Sequence, residues 1–350
     1  MSLTNWKGIL VVDKDLGISS FAVVARLRKI LRIKKIGHCG TLDPFATGVL
    51  PISIGRATAA IRFMENYDKV YTVEAILGEA TDSMDHTGSV IEKTEMDLQT
   101  LYKSGKLHSI LQTEAQKLSG DILQTPPMYS AIKIDGKRLY DLARQGIEVE
   151  RKARPVSVKI LDFTGPYPCK YQDEERLAIR VSLEVSKGTY IRSWIDDLGR
   201  NSGVFAFCQS LRRIRCGPYT LEKALSTEEL FDIYHDLADD PLKVRDYLDQ
   251  QGIALGIETA FPQFSRFYCN KEEASGFLHG RALPVDRDTI YKRVGKEEDL
   301  FSAESSFLLF YQEHCLGMAS LKTVGNPNEK ESSYLIKTER VWADHDDLFQ

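Results

Sequence analysis

Three stretches of this chain alternate apolar and polar residues with a period of two: "KVYTVEAIL" (69–77), "PVSVKILDF" (155–163) and "LAIRVSLEV" (177–185). That spacing belongs to a strand with one buried face, and a one-residue slip would turn every apolar side chain to water. In the first stretch Tyr71, Val73, Ala75 and Leu77 form the inward face, with Lys69, Thr72 and Glu74 expected mainly away from the core. In the last, Leu177, Ile179, Val181, Leu183 and Val185 do so. Helical segments separate the strands without regular strand–helix alternation. The expected fold class is therefore α+β, a mostly antiparallel mixed sheet flanked by helices. "GILVVDK" (8–14) reads as a further strand, Gly17, Ser19 and Ser20 as a turn and a helix cap, and Val23, Val24, Leu27, Ile30 and Leu31 recur at helical spacing.

A chain of 350 residues exceeds one comfortable core, so two domains are expected. The first spans 1–252, with an insertion at about 100–150 and an exposed, acidic helical stretch at 226–252. The second, 253–350, is small and β-rich over about 255–325 and ends in an irregular, acidic tail. Within the insertion, 120–146 is expected to start as a Pro-Pro loop and to end in a helix through Leu139, Leu142 and Ala143. The apolar runs are too short to span a membrane, and the amino terminus lacks a secretory pattern, so a cytoplasmic location is expected. Six cysteines without a CxxC pair read as reduced thiols. The net charge of −4 argues against a nucleic-acid partner, but the first 62 residues carry ten Lys/Arg against three Asp. This asymmetry predicts a basic face for phosphates, with the acidic stretch kept away from it.

One segment, "GHCGTLDPFATGVL" (37–50), concentrates chemistry. Asp43 before Pro44 reads first as a turn initiator. No second acid follows until Glu65, which disfavours two-carboxylate glycosidase chemistry. There is no GxGxxG and no phosphate-binding GxxxxGK[ST], so no nucleotide cofactor is expected. "DSMDHTG" (82–88) gathers Asp82, Asp85 and His86 but has neither a calcium-loop nor a zinc-helix pattern, and reads as a plain loop without a metal. Cys39 beside His38 lacks an orienting acid and reads as structural. A single carboxylate on a rigid loop, with basic partners, suits nucleophilic or charge-stabilising work at a sugar carbon.

"KDLGISSFAVVARLRKILRIKKIGHCGTLDPFATGVLPISIGRAT" (14–58) closely resembles the first signature of the bacterial TruB family of tRNA pseudouridine synthases, which modify the uridine at position 55 in the TΨC loop. Later family signatures recur in order: "KVYTVEAILGEATDSMDHTG" (69–88), "TPPMYSAIKIDGKRLYDLAR" (125–144), "VSKGTYIRSWIDDLG" (185–199) and "LRRIRCGPY" (211–219). The resemblance covers about 8–225. "LHGRAL" (278–283) and "CLGMASL" (315–321) are weakly similar to the family's PUA-like tail. Three departures stand out: Asp15 where the family usually has Pro, Cys39 where it has Thr, and "FAFCQS" before Leu211.

The resemblance implies a pseudouridine synthase fold and an isomerisation that needs no cofactor. Asp43 would drive cleavage of the C1′–N1 bond, by direct attack or by a glycal route, before the base turns and rejoins through C5. Arg192 would pair with Asp43 and, by lowering its pKa, keep it charged. Tyr71 would stack on the base and assist proton handling, Leu211 would pack at its edge, and Lys69 and Tyr190 would line the pocket. His38 would stack in the RNA loop vacated by the flipped uridine. Lys14, Lys34 and Lys35 are the expected phosphate contacts. The implied partner is tRNA through its T-arm, with no membrane and no guide RNA, and the protein a monomer. The alternative is a tRNA-binding or tRNA-folding module with secondary or absent catalysis.

Overall fold

All three alternating stretches lie in strands of one ten-stranded sheet. The structure, a computed structural model, describes residues 6–130, 133–134, 136–143, 145–147, 149–294, 306–324 and 333–343. The sheet runs Leu225–Ser226, Gly8–Lys14, Ala46–Ile54, Ala206–Cys216, Lys69–Leu77, Glu174–Val185, Arg154–Tyr171 and Gly120–Gln124. Ile36–His38 also pairs with Ala46–Ile54, and Tyr219–Thr220 with Ala206–Cys216. Two pairings are parallel: Gly8–Lys14 with Leu225–Ser226, and Ala206–Cys216 with Ala46–Ile54. The rest are antiparallel, giving the mixed α+β sheet that the alternation implied.

The register explains the alternation. Tyr71 lies opposite Leu183 and Val73 opposite Val181, all in the main core with Ile179 and Leu177. Lys69 has the same parity as Tyr71 and is only 7% exposed, so the expectation that it points away from the core is corrected. Helix Ser20–Leu31 starts at the N-cap Ser19 and buries Val23, Val24, Leu27, Ile30 and Leu31. Segment 120–146 opens with the edge strand Gly120–Gln124 rather than a loop, and Leu139–Ala143 is helical.

The acidic stretch forms two helices, Thr227–Asp236 and Pro241–Gln250. They are not held apart from the basic helix. Leu230, Val244 and Leu248 share its core, Arg26 reaches the Thr227 hydroxyl, and Arg245 donates to the Leu31 carbonyl. Burying the apolar faces of all three helices outweighs keeping the acidic and basic stretches apart.

Toward the C-terminus a separate five-stranded sheet has the order Arg266–Tyr268, Ser306–Tyr311, His314–Val324, Ser333–Val341, Leu283–Asp286. The expected irregular tail beyond 325 thus contains a strand paired on both sides. Trp342, just after it, stacks on Phe261 with ring centroids 5.1 Å apart. Both belong to a core with Ile9, Val49, Ala57 and Cys216, so this sheet is joined to the larger one by shared apolar packing.

Candidate active site

The Asp43 segment leaves the sheet at His38 and re-enters it at Ala46. It closes as a turn, with the Ala46 N–H donating to the Asp43 carbonyl at 3.0 Å. Residues of the first strand–turn–helix unit fasten it. Lys14, fully buried, donates to the carbonyls of Ile18 (2.8 Å), Asp15 (2.9 Å) and Pro44 (3.3 Å). The Gly17 N–H donates to the Pro44 carbonyl at 2.8 Å. The Ser20 hydroxyl accepts from the Leu42 N–H (2.9 Å) and donates to the Leu42 carbonyl (3.1 Å). Burial pushes the Lys14 ammonium down to about 8, against the pull of Asp15 and Asp43. Its place at an RNA surface is therefore corrected: the ammonium is enclosed where three backbone carbonyls converge on it.

Arg192, near the start of helix Ile191–Ser202, is 4% exposed and gathers three segments. Its Nε donates to Asp43 Oδ2 at 2.9 Å, Nη1 to the Ser83 carbonyl at 2.8 Å and to Asp85 Oδ2 at 3.4 Å, and Nη2 to the Tyr129 carbonyl at 2.7 Å. Asp85 is itself buried and accepts from the Ser83 hydroxyl, the Thr87 N–H and the Thr87 hydroxyl. The backbone of Cys208, inside the unusual "FAFCQS" run, pins this loop. It donates to the Met84 carbonyl (3.1 Å) and accepts from the His86 N–H (2.9 Å). The N-terminal end of the helix is held by buried Gln124, which bonds both the N–H and the carbonyl of Tyr190.

A cleft of about 270 Å³ brings together Asp43, Arg192, Tyr71, Lys69, Tyr190 and Leu211. Burial pushes the Asp43 carboxyl above the ordinary carboxylate range. Arg192 and Lys14 oppose this and Asp85 adds to it. The pull of Arg192 has the expected downward direction, but burial of the carboxyl outweighs it. Arg192 is what sustains the charged form, and about a third of the Asp43 side chain stays open (34%).

Tyr71 is 9% exposed, and burial raises its hydroxyl pKa against the influence of Arg213. Lys69 donates to the carbonyls of Glu65 (3.0 Å) and Tyr67, and burial together with Arg213 holds it below the usual lysine value. His38 stands outside the cleft lining and is half-buried, its Nδ1 enclosed without a partner among the described residues. Burial and Arg213 keep its pKa below the ordinary 6.5, so the ring is neutral at pH 7. Lys34 and Lys35 are exposed. Cys39 and Cys216 are buried in one apolar cluster, outside the cleft lining. Among the described residues, no group of three or more His, Cys, Asp or Glu is placed to hold a metal ion.

Residues 28–191 match the family described as TruB family pseudouridylate synthase (N terminal domain). The chain is also 36% identical over 310 residues to a tRNA pseudouridine synthase B of Dehalococcoides mccartyi, covering 87% of this chain and 92% of that one. The chain belongs to the TruB family. A tRNA pseudouridine synthase B of Lactobacillus delbrueckii subsp. bulgaricus is 42% identical over 228 residues, covering 65% of this chain and 74% of that one. Among solved structures, a Cbf5–Nop10–Gar1 complex contains a chain that superposes with a TM-score of 0.61 at 22% identity, covering 98% of this chain and 87% of that one. An H/ACA RNP bound to a substrate RNA containing 2′-deoxyuridine gives 0.59 at 21%, covering 97% and 86%. At these identities the structural likeness speaks to the fold alone.

Two residues that bond to lining residues of this TruB cleft were not assigned to the site from the sequence. Asp85 sat in a segment read as a plain loop, and only the folded chain sets its carboxylate against Arg192. Arg213 lay within "LRRIRCGPY", two residues after Leu211, and was given no role there; it is 1% exposed.

Proposed function

We propose that this protein converts uridine to pseudouridine in the TΨC loop of tRNA, at position 55, acting alone as a monomeric cytoplasmic enzyme. The observation that carries this reading is the Asp43–Arg192 ion pair in the cleft shared with Tyr71 and Leu211, in a chain whose relatives are named tRNA pseudouridine synthase B.

The reaction breaks C1′–N1, forms C1′–C5 and moves one proton from C5 to N1, with no net oxidation or hydrolysis. Asp43, held by Arg192, supplies the carboxylate at C1′. Tyr71 packs against the base and handles its proton, Leu211 bounds its edge, and Lys69 and Tyr190 complete the pocket. A uridine reaches this depth only when flipped from the RNA, and the neutral His38 ring suits stacking in the gap it leaves. Lys34 and Lys35 suit phosphate contacts.

The test is incubation with one unmodified tRNA transcript, without other protein or RNA, followed by position-resolved pseudouridine mapping. The wild type should modify position 55, and Asp43→Asn should bind tRNA yet form no pseudouridine. Binding without product by the wild type would instead favour a tRNA-folding module.

A further inference from the structure

The strand Ala46–Ile54 changes neighbours along one edge. Residues 46–48 pair with 211–213, and residues 52–54 pair with 36–38. Between them the Val49 carbonyl faces Arg213, whose Nε donates to it at 2.7 Å. The same guanidinium donates through Nη2 to the Gly40 carbonyl (2.9 Å) and through Nη1 to the Tyr71 hydroxyl (3.3 Å), and it lies 5.9 Å from the Tyr71 ring centroid. No carboxylate bonds it among the described residues. Three carbonyl or hydroxyl oxygens therefore hold a buried cation that borders the cleft.

We propose that Arg213 is a positioning residue for the isomerisation, locking the two ends of the Asp43 turn to Tyr71 and fixing the direction of the Tyr71 O–H. The argument is one of donor count. A guanidinium has five N–H donors and no acceptor, so the Tyr71 oxygen must accept from Nη1. Its own proton must then turn elsewhere, and the open side is the cleft where the base would sit. Gly40 precedes Asp43 by three residues and Val49 follows it by six, so one planar group sets both flanks of the turn and the aromatic partner together. A lysine keeps the charge but cannot span three acceptors with fixed geometry.

This inference rests on the proposed tRNA isomerisation. The experiment compares single-turnover pseudouridine formation and tRNA Kd for the wild type, Arg213→Lys, Tyr71→Phe and the double variant, with thermal melting as the fold control. Absence of product from the wild type defeats the functional reading. With an active wild type, Arg213→Lys should slow turnover about 10- to 100-fold at a tRNA Kd within about threefold. In the Tyr71→Phe background the same change should slow it distinctly less, since part of its effect passes through the hydroxyl. A folded Arg213→Lys protein at the wild-type rate, or losses that simply multiply in the double variant, would overturn the proposal. If Arg213→Lys does not melt cooperatively, Tyr71→Phe decides. Slowed turnover at unchanged Kd supports the proposal, and a rate within about threefold of wild type overturns it.

Discussion

Replacing Asp85 by Asn separates what Arg192 does for position from what it does for charge. In Asp85, Oδ1 already accepts from the Ser83 hydroxyl and the Thr87 N–H, so an Asn carbonyl keeps the loop and its NH2 turns toward Arg192. The change removes an ion pair at 3.4 Å while leaving Arg192 bonded to Asp43, Ser83 and Tyr129. Coulomb's law at an effective dielectric of about 20 gives roughly 5 kcal/mol for such a pair. Because three acceptors remain, the loss is nearer one charge-assisted hydrogen bond, about 1.5–3 kcal/mol. Part falls on stability, so kcat should drop by at most about 10- to 150-fold, with little change in tRNA affinity. The pH profile should move in the other sense. Asp85 raises the Asp43 pKa, so removing its charge lowers that pKa. Catalysis by the carboxylate is lost as pH falls through it, and the acid limb must shift to lower pH. Single-turnover rates between pH 5 and 8 test both readouts. An unchanged kcat, or an acid limb displaced to higher pH, would refute the reasoning.

Gly48 sits at φ +108, and a Cβ there would lie 2.1 Å from the Arg213 carbonyl oxygen. Gly48→Ala should cost about 3 kcal/mol or more, since backbone must move as well as strain, whereas Gly17→Ala, at φ +81 with open space around it, should cost about 1 kcal/mol. Equal melting temperatures for the two variants would contradict this. Charge reversal at Lys34 and Lys35 should weaken binding of every tRNA to a similar degree and flatten the dependence of log Kd on log salt, by about one unit or less per lost phosphate contact. An unchanged slope would remove both residues from the RNA surface.

The sheet was legible because alternation is a local signal: period two over nine residues permits one buried face. Helix Ser20–Leu31 was legible for the same reason at its own period, together with its Ser19 cap. The family motifs marked Asp43, Tyr71, Arg192, Lys69, Tyr190 and Leu211, and the folded chain places all six around one cleft. Local pattern misled where a cation or a tail was concerned. Lys14 read as a phosphate contact and Arg213 was given no role, but each is drawn inside by bonds to backbone oxygens. Residues beyond 325 read as irregular because a partner strand on each side, distant in sequence, is what makes Ser333–Val341 a strand.

By itself the amino-acid order determined the apolar faces of the strands, the basic helix, the turn around Asp43 and the family to which the chain belongs, since each depends on residues close together or on motifs in order. Tertiary structure alone decided that Asp85 joins Arg192, that Arg213 ties Gly40, Val49 and Tyr71 together, and that the Asp43 carboxyl is pushed up rather than down. Those outcomes depend on burial and on contacts between segments more than a hundred residues apart, where desolvation and Coulomb attraction have opposite signs and only the assembled cleft settles their balance.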